Sequence, residues 1–423
     1  MIKNILDYNT ARRYRMRREA YNPTKERTVV GTYPGFKGME DIRLRNDRGE
    51  CIVPDTDRFY RPIPVYENFK MLFRGETPYW IPNNGWFFCD TQEFRPRQGK
   101  DCRAHHQCLD GGPLIDYTKI PKLQRGWFDL PLEWEPLSCG ATVRPGNPTL
   151  EDMNDWKEVL QWPSLEEIDF DEMKRMNETY LGTDRINQLG IHLGFWERMM
   201  CLMDVSNAAI ALLDEDQEYA VQSFLDKLSD FYCDYITRVS KIGRIDSVMI
   251  HEDWGTNNSA FFSLDTARKF FVAPIKKVVD TCHSLNIIYE HHCCGKAQAL
   301  APAMVECGTD YWFPQSTIND VDKLIEDFKN DHLTFAVGNP ILPQGSSEEE
   351  VRKIAKDFVD KYKDKGVLFC ADSSTTRIPG HDHSLFPIFR DAVYEFSRQA
   401  YQNLDVPKDM EEMVLRHQAQ FPL

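Results

Sequence analysis

Residues that could bind a metal ion occur together in the sequence Glu290-His291-His292-Cys293-Cys294-Gly295. The apolar stretch before them indicates a β-strand that ends near His292. Side chains two positions apart on a strand lie on the same face, and imidazole and thiolate groups are common zinc ligands. His292 and Cys294 are therefore predicted to bind one ion. The alternative is that the cysteines are small buried apolar residues, as free cysteines often are.

A third ligand is needed because a catalytic zinc usually has three protein ligands and one open position. Cys370 lies near the end of the last apolar segment, Val367–Ala371, and is predicted to be that ligand. Burial of Cys370 in the core is the alternative. A separate Cys-x₂-His-His-x-Cys pattern could bind zinc locally, but no second half of a zinc finger follows it. It consists of Cys102, His105, His106 and Cys108.

Acidic residues follow a second apolar segment, Ser247–His251. Glu252 and Asp253 come directly after it, where carboxylates could orient a metal-binding histidine, take a proton or bind a cationic substrate. His251 is either a catalytic residue or a hydrogen-bonded core histidine. Glu290 shares its strand face with His292, and a buried carboxylate is costly unless it is paired. We therefore expect Glu290 to support the metal ligands.

Tryptophans are frequent near the predicted strand ends. They could pack the core, or they could line a flat apolar pocket for an aromatic ring or a macrocycle. On the second interpretation Trp254 and Trp134 contact substrate, together with two polar residues at strand ends, Gln315 and Asn83.

Short apolar segments alternate with amphipathic helices, which predicts an α/β fold with parallel strands closed into a (β/α)₈ TIM barrel. The predicted strands are Tyr79–Pro82, a segment near Trp127–Trp134, Gly190–Leu193, Ser247–His251, Asn286–His292, Asp310–Phe313, Leu333–Val337 and Gly366–Ala371. The predicted helices are Val65–Phe73, Glu218–Val239, Leu264–Leu285, Val321–Lys329, Ser347–Lys363 and Pro387–Gln402. Residues 1–62 are predicted to form an N-terminal extension and residues 63–423 the barrel.

Composition excludes several classes of protein. The chain has 423 residues, a net charge of −15 and 12 cysteines. The acidic excess argues against nucleic-acid binding, and no stretch has the roughly 20 apolar residues of a membrane helix. The N-terminus lacks the apolar segment of a signal peptide, so a cytoplasmic protein with reduced cysteines is expected. Phosphate-binding glycine motifs and the Gly-x-Ser-x-Gly motif of serine hydrolases are absent from the sequence.

Several motifs also occur in a characteristic order between about residues 63 and 405. They are Arg74-Gly75-Glu76-Thr77-Pro78, Glu252-Asp253-Trp254-Gly255-Thr256, Ser263, Phe270, Pro274, His283-Ser284, His292-Cys293-Cys294-Gly295, Glu306-Cys307-Gly308-Thr309-Asp310 and Pro314-Gln315. This set resembles the uroporphyrinogen decarboxylase superfamily, in particular its branch related to cobamide-dependent methyltransferases. The resemblance implies a TIM barrel, in agreement with the strand count.

The resemblance also implies a zinc site. In the methyltransferase branch, a His-x-Cys pair and a later cysteine hold zinc, which activates a thiol to take a methyl group from a corrinoid. His292 and Cys294 match the pair. The later cysteine of the family would fall near Ser373, so Cys370 comes about three residues early. Asp372, His381 or His383 could replace it, or the metal could be absent.

The resulting hypothesis is a corrinoid-linked methyltransferase, assisted by zinc. It would move a methyl group between a small methylated substrate, such as an aryl methyl ether, or a thiol and a corrinoid (cobalamin). A separate corrinoid-binding protein is implied because the chain has no Asp-x-His-x-x-Gly cobamide motif. The alternatives are a decarboxylase or lyase acting on a carboxylated aromatic or tetrapyrrole-like substrate, and a non-catalytic barrel subunit. Asn83-Asn84 stands where the family's porphyrinogen decarboxylases have an aspartate after the first strand, which disfavours porphyrinogen decarboxylation. The chain could also form a homo-oligomer.

Overall fold

Strands and helices alternate along most of the chain. The computed structural model describes residues 14–33, 36–37, 52–53, 56–83, 91–94, 123–125, 127–135, 140–370 and 378–420. Within these ranges the strands are β1 Tyr14–Arg17, β2 Val29–Tyr33, β3 Phe36–Lys37, β4 Ile52–Val53, β5 Thr56–Phe59, β6 Thr91–Phe94, β7 Leu123–Arg125, β8 Pro131–Glu135, β9 Gly140–Val143, β10 Ile186–Ile191, β11 Ser247–His251, β12 Ile288–His292, β13 Tyr311–Trp312, β14 Thr334–Gly338, β15 Leu368–Cys370 and β16 Asp405–Pro407.

Helices cover one side of these strands. In the described ranges the α-helices are α1 Pro23–Glu26, α2 Val65–Phe73, α3 Trp156–Val159, α4 Phe170–Leu181, α5 Phe195–Ala211, α6 Glu218–Val239, α7 Leu264–Phe270, α8 Val272–Ser284, α9 Ala301–Cys307, α10 Val321–Asp327, α11 Glu348–Tyr362, α12 Phe386–Tyr401 and α13 Lys408–Gln420. The predicted helix Leu264–Leu285 is divided at Phe271 into α7 and α8. None of the described helices is long and apolar enough to cross a membrane.

Seven parallel strands form the central sheet, in the order β6-β10-β11-β12-β13-β14-β15. An eighth segment lies beside β15, where Asn83 forms a parallel bridge with Phe369 and the Phe369 amide donates to the Pro82 carbonyl at 3.0 Å. The architecture is a (β/α)₈ barrel, as the sequence predicted. In such a barrel the polar residues at the carboxyl ends of the strands share one face of the molecule.

The prediction of a barrel strand near Trp127–Trp134 was wrong. This part of the chain contributes to an antiparallel sheet of β7, β8 and β9, and β6 takes the position next to β10. The apolar residues have another partner, because the Trp127 ring packs edge-on against Phe231 of α6 at 4.8 Å between centroids. The apolar run therefore packs against the outer helix α6.

The alternation of side chains along β10 to β13 separates two environments. Leu189, Ile250 and Tyr289 pack in the large core between sheet and helices. On the opposite face a polar cluster fills the interior, where the Gln188 amide and the Tyr311 hydroxyl both donate to Glu290 Oε2, at 2.7 and 2.6 Å. A buried carboxylate is thereby satisfied by two donors, as burial requires.

The N-terminal segments lie against the C-terminal ones. Strand β1 pairs antiparallel with β16. The Glu26 carboxylate, 4% exposed, accepts two hydrogen bonds from Arg398 of α12, at 2.8 and 3.0 Å. The division between a 1–62 extension and a 63–423 barrel stays a prediction.

Candidate metal centre

Three potential metal ligands converge at the carboxyl ends of β11 and β12. One ligand atom each from Asp253, His292 and Cys294 lies within 4.8 Å of the other two. Cys294 Sγ is 3.4 Å from His292 Nε2, and that nitrogen is 3.9 Å from Asp253 Oδ1. No other group of this kind occurs among the residues described. An imidazole, a thiol and a carboxylate thus face one small space.

The two loops that carry these residues contact each other closely. Asp253 has a φ of +42°, which turns its carboxylate toward the next loop, and Asp253 Oδ1 accepts a hydrogen bond from the Cys294 amide at 2.8 Å. Gly255 and Gly295 touch through their backbones, and a Cβ on Gly295 would lie 2.1 Å from the Gly255 carbonyl oxygen. Glycine at both positions lets the loops approach closely enough to bring the ligands together.

The donor set fits a zinc ion. Zinc–ligand bonds of about 2.0–2.3 Å in a tetrahedron place neighbouring ligand atoms roughly 3.3–3.8 Å apart. The distances of 3.4 Å and 3.9 Å are close to that range. All three side chains are partly exposed rather than sealed in the core. Three protein ligands would leave one position accessible to another molecule.

Glu197 of α5 contacts this group and was not singled out in the sequence. Burial, the Asp253 charge and a hydrogen bond with Asp253 raise the pKa of Glu197 well above its ordinary value. Its Oε2 accepts a hydrogen bond from the Leu193 amide at 3.1 Å. A neutral Glu197 can therefore donate a hydrogen bond to the Asp253 carboxylate. Because Glu197 is far from both loops in sequence, no local pattern signals this contact.

Glu252, a predicted catalytic residue, lies next to the start of α5. Its side chain is fully buried, and its two oxygens accept hydrogen bonds from the Phe195 and Trp196 amides at 2.9 and 3.0 Å. These amides are at the start of α5, where a carboxylate is favourable. Burial raises the pKa of Glu252 to about 8, although the hydrogen bonds from the two backbone amides act in the opposite direction. The carboxyl group connects β11 to α5 behind the candidate metal centre.

The two remaining predicted catalytic residues, Glu290 and His251, lie near His292 in β12 and in the neighbouring strand β11. Glu290 comes two residues before His292, in the barrel interior. It accepts hydrogen bonds from Gln188 and Tyr311 and is not one of the three converging groups. His251 is 8% exposed, and its ring centroid lies 4.0 Å from that of His292. His251 is therefore a direct neighbour of the candidate ligand, while Glu290 belongs to the barrel interior.

The predicted substrate contacts are dispersed. Trp254 is fully buried between Phe262, Phe271 and His291 and packs in the core. Gln315 accepts a hydrogen bond from the Gly295 amide at 2.8 Å and thus holds the loop that carries Cys294. Asn83 is buried beside β15. Trp134 lies in β8, outside the central sheet.

Cys370, the predicted third ligand, lies elsewhere in the barrel. It is buried at the end of β15 and does not belong to the converging group, in which Asp253 occupies the third position. His381 accepts a hydrogen bond from the Leu342 amide at 3.0 Å, and the His383 ring stacks on Phe386. Asp372 and the Cys102–Cys108 cluster lie outside the described residues.

Comparison with known proteins identifies the family. The fold and the site are those of a barrel enzyme with a candidate metal centre. Residues 132–375, more than half of the chain, match the family model of uroporphyrinogen decarboxylase (URO-D). The chain therefore belongs to the uroporphyrinogen decarboxylase family. No curated protein matches it.

Solved structures are similar to this chain at low sequence identity. A methyltransferase from Methanosarcina mazei is similar with a TM-score of 0.52 and 14% identity, covering 79% of this chain and 99% of that one. A B12-independent methionine synthase from Shewanella sp. W3-18-1 has a TM-score of 0.36 and 11% identity, covering 57% and 68% of the two chains. At 14% identity the likeness to the Methanosarcina mazei methyltransferase concerns the fold alone.

Proposed function

We propose that this chain is a methyltransferase that holds zinc through Asp253, His292 and Cys294 and transfers a methyl group between a corrinoid and a thiol or a small methylated substrate. The observation that carries the proposal is the convergence of the three ligand atoms on one partly exposed space. The family match and the fold shared with the Methanosarcina mazei methyltransferase agree with it.

Zinc at this position would keep a substrate thiol deprotonated and nucleophilic near neutral pH. In the transfer to a thiol, a sulfur–carbon bond forms while the cobalt–carbon bond breaks. The electron pair of that bond stays with the corrinoid, and the thiol proton is released. The thiol would enter beside Asp253, His292 and Cys294, whose side chains are partly exposed.

The protein side chains around the site would hold its geometry and charge. Glu197 would donate a hydrogen bond to Asp253 and keep that carboxylate turned toward the other ligands. The Cys294 amide fixes the same carboxylate from the opposite loop at 2.8 Å. Gln315 holds the Gly295 amide, which stabilises the turn after Cys294. Together these contacts would limit reorganisation when the ion binds.

The corrinoid would be carried by a separate protein that docks at the carboxyl ends of the strands. The chain has no Asp-x-His-x-x-Gly cobamide motif in its sequence. The candidate ligands lie at the barrel face from which TIM-barrel enzymes act, so a large methyl donor would approach them from that side.

Metal analysis of purified protein tests this proposal first. We expect about one zinc per chain by mass spectrometry in the wild type and a loss of most of it in Cys294→Ala. Cys307→Ala is the matched control, since Cys307 is a fully buried cysteine of α9. Equal zinc content in the two variants, or a wild type without zinc after expression with added metal, would contradict the proposal.

Activity gives the second test. Methylcobalamin and a small thiol should yield the methyl thioether and reduced cobalamin with the wild type but not with Cys294→Ala. The family name favours a second candidate, a decarboxylase. Release of CO₂ from a carboxylated aromatic or tetrapyrrole-like substrate by metal-free protein would support that candidate instead.

A further inference from the structure

Three histidine rings form a continuous stack at the barrel mouth. His192 follows β10 directly, His251 ends β11 and His292 ends β12. The strand register pairs Ile191 with Ile250 and His251 with His292, so the three histidines lie side by side across the sheet. The ring centroids of His192 and His251 are 4.0 Å apart, and those of His251 and His292 are also 4.0 Å apart.

The stack has a fixed end and an accessible end. His192 and His251 are 6% and 8% exposed, whereas His292 is less buried and turns Nε2 toward Cys294 and Asp253. The rings are tilted by only 33° and 31° from one another, so each covers the face of the next. Rotation of the His292 ring would therefore require displacement of a buried neighbour.

Such a restraint matters for a metal ligand. The χ2 torsion of histidine is broad and weakly restrained by itself, and the groups that orient a metal-binding imidazole commonly change metal affinity by about 10- to 100-fold. Asp253 and Cys294 contact the edge of the His292 ring at Nε2, and His251 covers its face. The face contact supplies an orientation that the edge contacts leave undefined.

We infer that His251, supported by His192, is a positioning residue that holds the His292 ring in the orientation required for metal binding. This inference rests on the proposed function, because it assigns His251 a task toward the same ion. It differs from a catalytic role for His251, since the ring acts through His292 and not on the substrate. A flat apolar ring should serve equally well.

Substitution of His251 by phenylalanine and by alanine separates stacking from imidazole chemistry. We expect His251→Phe to bind zinc within about threefold of the wild type in competition with a chromophoric chelator. His251→Ala should bind about 10- to 100-fold more weakly. Cobalt substitution gives a spectroscopic readout, because a rotated His292 should weaken and shift the visible bands of tetrahedral Co²⁺ in His251→Ala only. His332→Ala, an exposed histidine, is the control and should match the wild type.

The possible failures are distinguishable. A wild type that binds neither zinc nor cobalt overturns the proposed function and the inference together. Wild-type affinity and spectrum in His251→Ala overturn the inference alone, as does an equal loss in both His251 variants. If circular dichroism shows that His251→Ala is unfolded, His251→Phe decides: wild-type metal binding supports the inference, and weakened binding overturns it.

Discussion

At the scale of single residues, a step of one position along β12 changes the chemistry of a histidine. His291 is fully buried against Trp254, and burial lowers its pKa to about 3, so that the ring is neutral. His292 points to the opposite face of the strand, where it meets Cys294 and Asp253. The alternation of side chains along a strand thus divides a core histidine from a candidate ligand.

The identity of the third ligand gives a prediction at this scale. Asp253→Asn keeps the size of the side chain and an oxygen that can accept from the Cys294 amide, but it removes the negative charge. We expect zinc affinity to fall by at least about tenfold, because a neutral amide is a weaker zinc ligand than a carboxylate. Competition with a chelator measures the affinity. Cys370→Ser is the comparison and should bind zinc as the wild type does. The opposite ranking of the two variants would return Cys370 to the third position.

The residues of the site differ in how far sequence could predict them. The i, i+2 spacing on a strand placed His292 and Cys294 on one face, and the structure has them 3.4 Å apart. Asp253 was expected to position substrate or manage protons. Its place beside Cys294 was not predicted, because it depends on a backbone φ of +42° and on the neighbouring loop. Glu197 and His192 were missed, since they come from other elements and only the strand order brings them near.

At the scale of elements, two loops contact each other closely at the candidate metal centre. Gly295→Ala should destabilise the fold by about 1–3 kcal/mol through overpacking, because its Cβ would meet the Gly255 carbonyl at 2.1 Å. Gly345→Ala is a matched control with a similar φ, +81° against +82°, and with no atom within 4 Å of the added Cβ. Urea unfolding of both variants measures the difference. Equal losses would mean that backbone strain, and not loop contact, is the cause.

Strand assignment shows where local patterns mislead. The prediction took Trp127–Trp134 as the second barrel strand because of its apolar residues. The structure uses Thr91–Phe94, whose sequence Thr-Gln-Glu-Phe has one apolar residue. The later strands β11, β12 and β14 follow buried apolar runs and were predicted close to their observed bounds. Apolar composition reports burial, and burial against an outer helix looks the same in sequence as burial within a barrel strand.

The packing of α13 gives a pH-dependent prediction. His417 is 6% exposed, its Nε2 lies 2.9 Å from the Arg61 carbonyl, and burial lowers its pKa. In the unfolded chain a histidine titrates near about pH 6.5. Below that pH the unfolded state binds a proton that the folded state does not, so stability falls as the pH decreases.

His417→Gln keeps a side-chain donor for the Arg61 carbonyl and removes the titration. We expect the free-energy difference between wild type and variant to be constant from pH 7.5 to 8.5. Toward pH 5.5 the wild type should lose up to about 1.4 kcal/mol per pH unit relative to the variant. Urea unfolding across this range measures the difference. A difference that does not change with pH would show that the folded pKa of His417 is ordinary.

At the scale of the whole molecule, a buried ion pair joins distant parts of the chain. Glu26 and Arg398 are 4% and 0% exposed, and the Tyr394 hydroxyl also donates to Glu26. Arg18 extends the connection, since its guanidinium lies over the Tyr79 ring and donates to the Pro78 carbonyl at 2.6 Å. The N-terminal segment is thereby attached to α12 and to the chain entering the barrel, which no local sequence pattern indicates.

Breaking this pair should cost far more than its net contribution to stability. Glu26→Leu leaves the Arg398 charge buried without a counterion, and we expect a loss of about 3–5 kcal/mol. Arg398→Met should lose a similar amount, while the double variant should lose much less than the sum because both charges are then absent. Asp327→Asn, which breaks the exposed pair with Lys323, should cost at most about 1 kcal/mol. Urea unfolding of the wild type, the two single variants and the double variant gives the double-mutant cycle, and Asp327→Asn is measured beside it. Additive losses for Glu26 and Arg398 would mean that the two side chains stabilise the fold independently, and the N-terminal segment would then be held by its strand pairing and not by this ion pair.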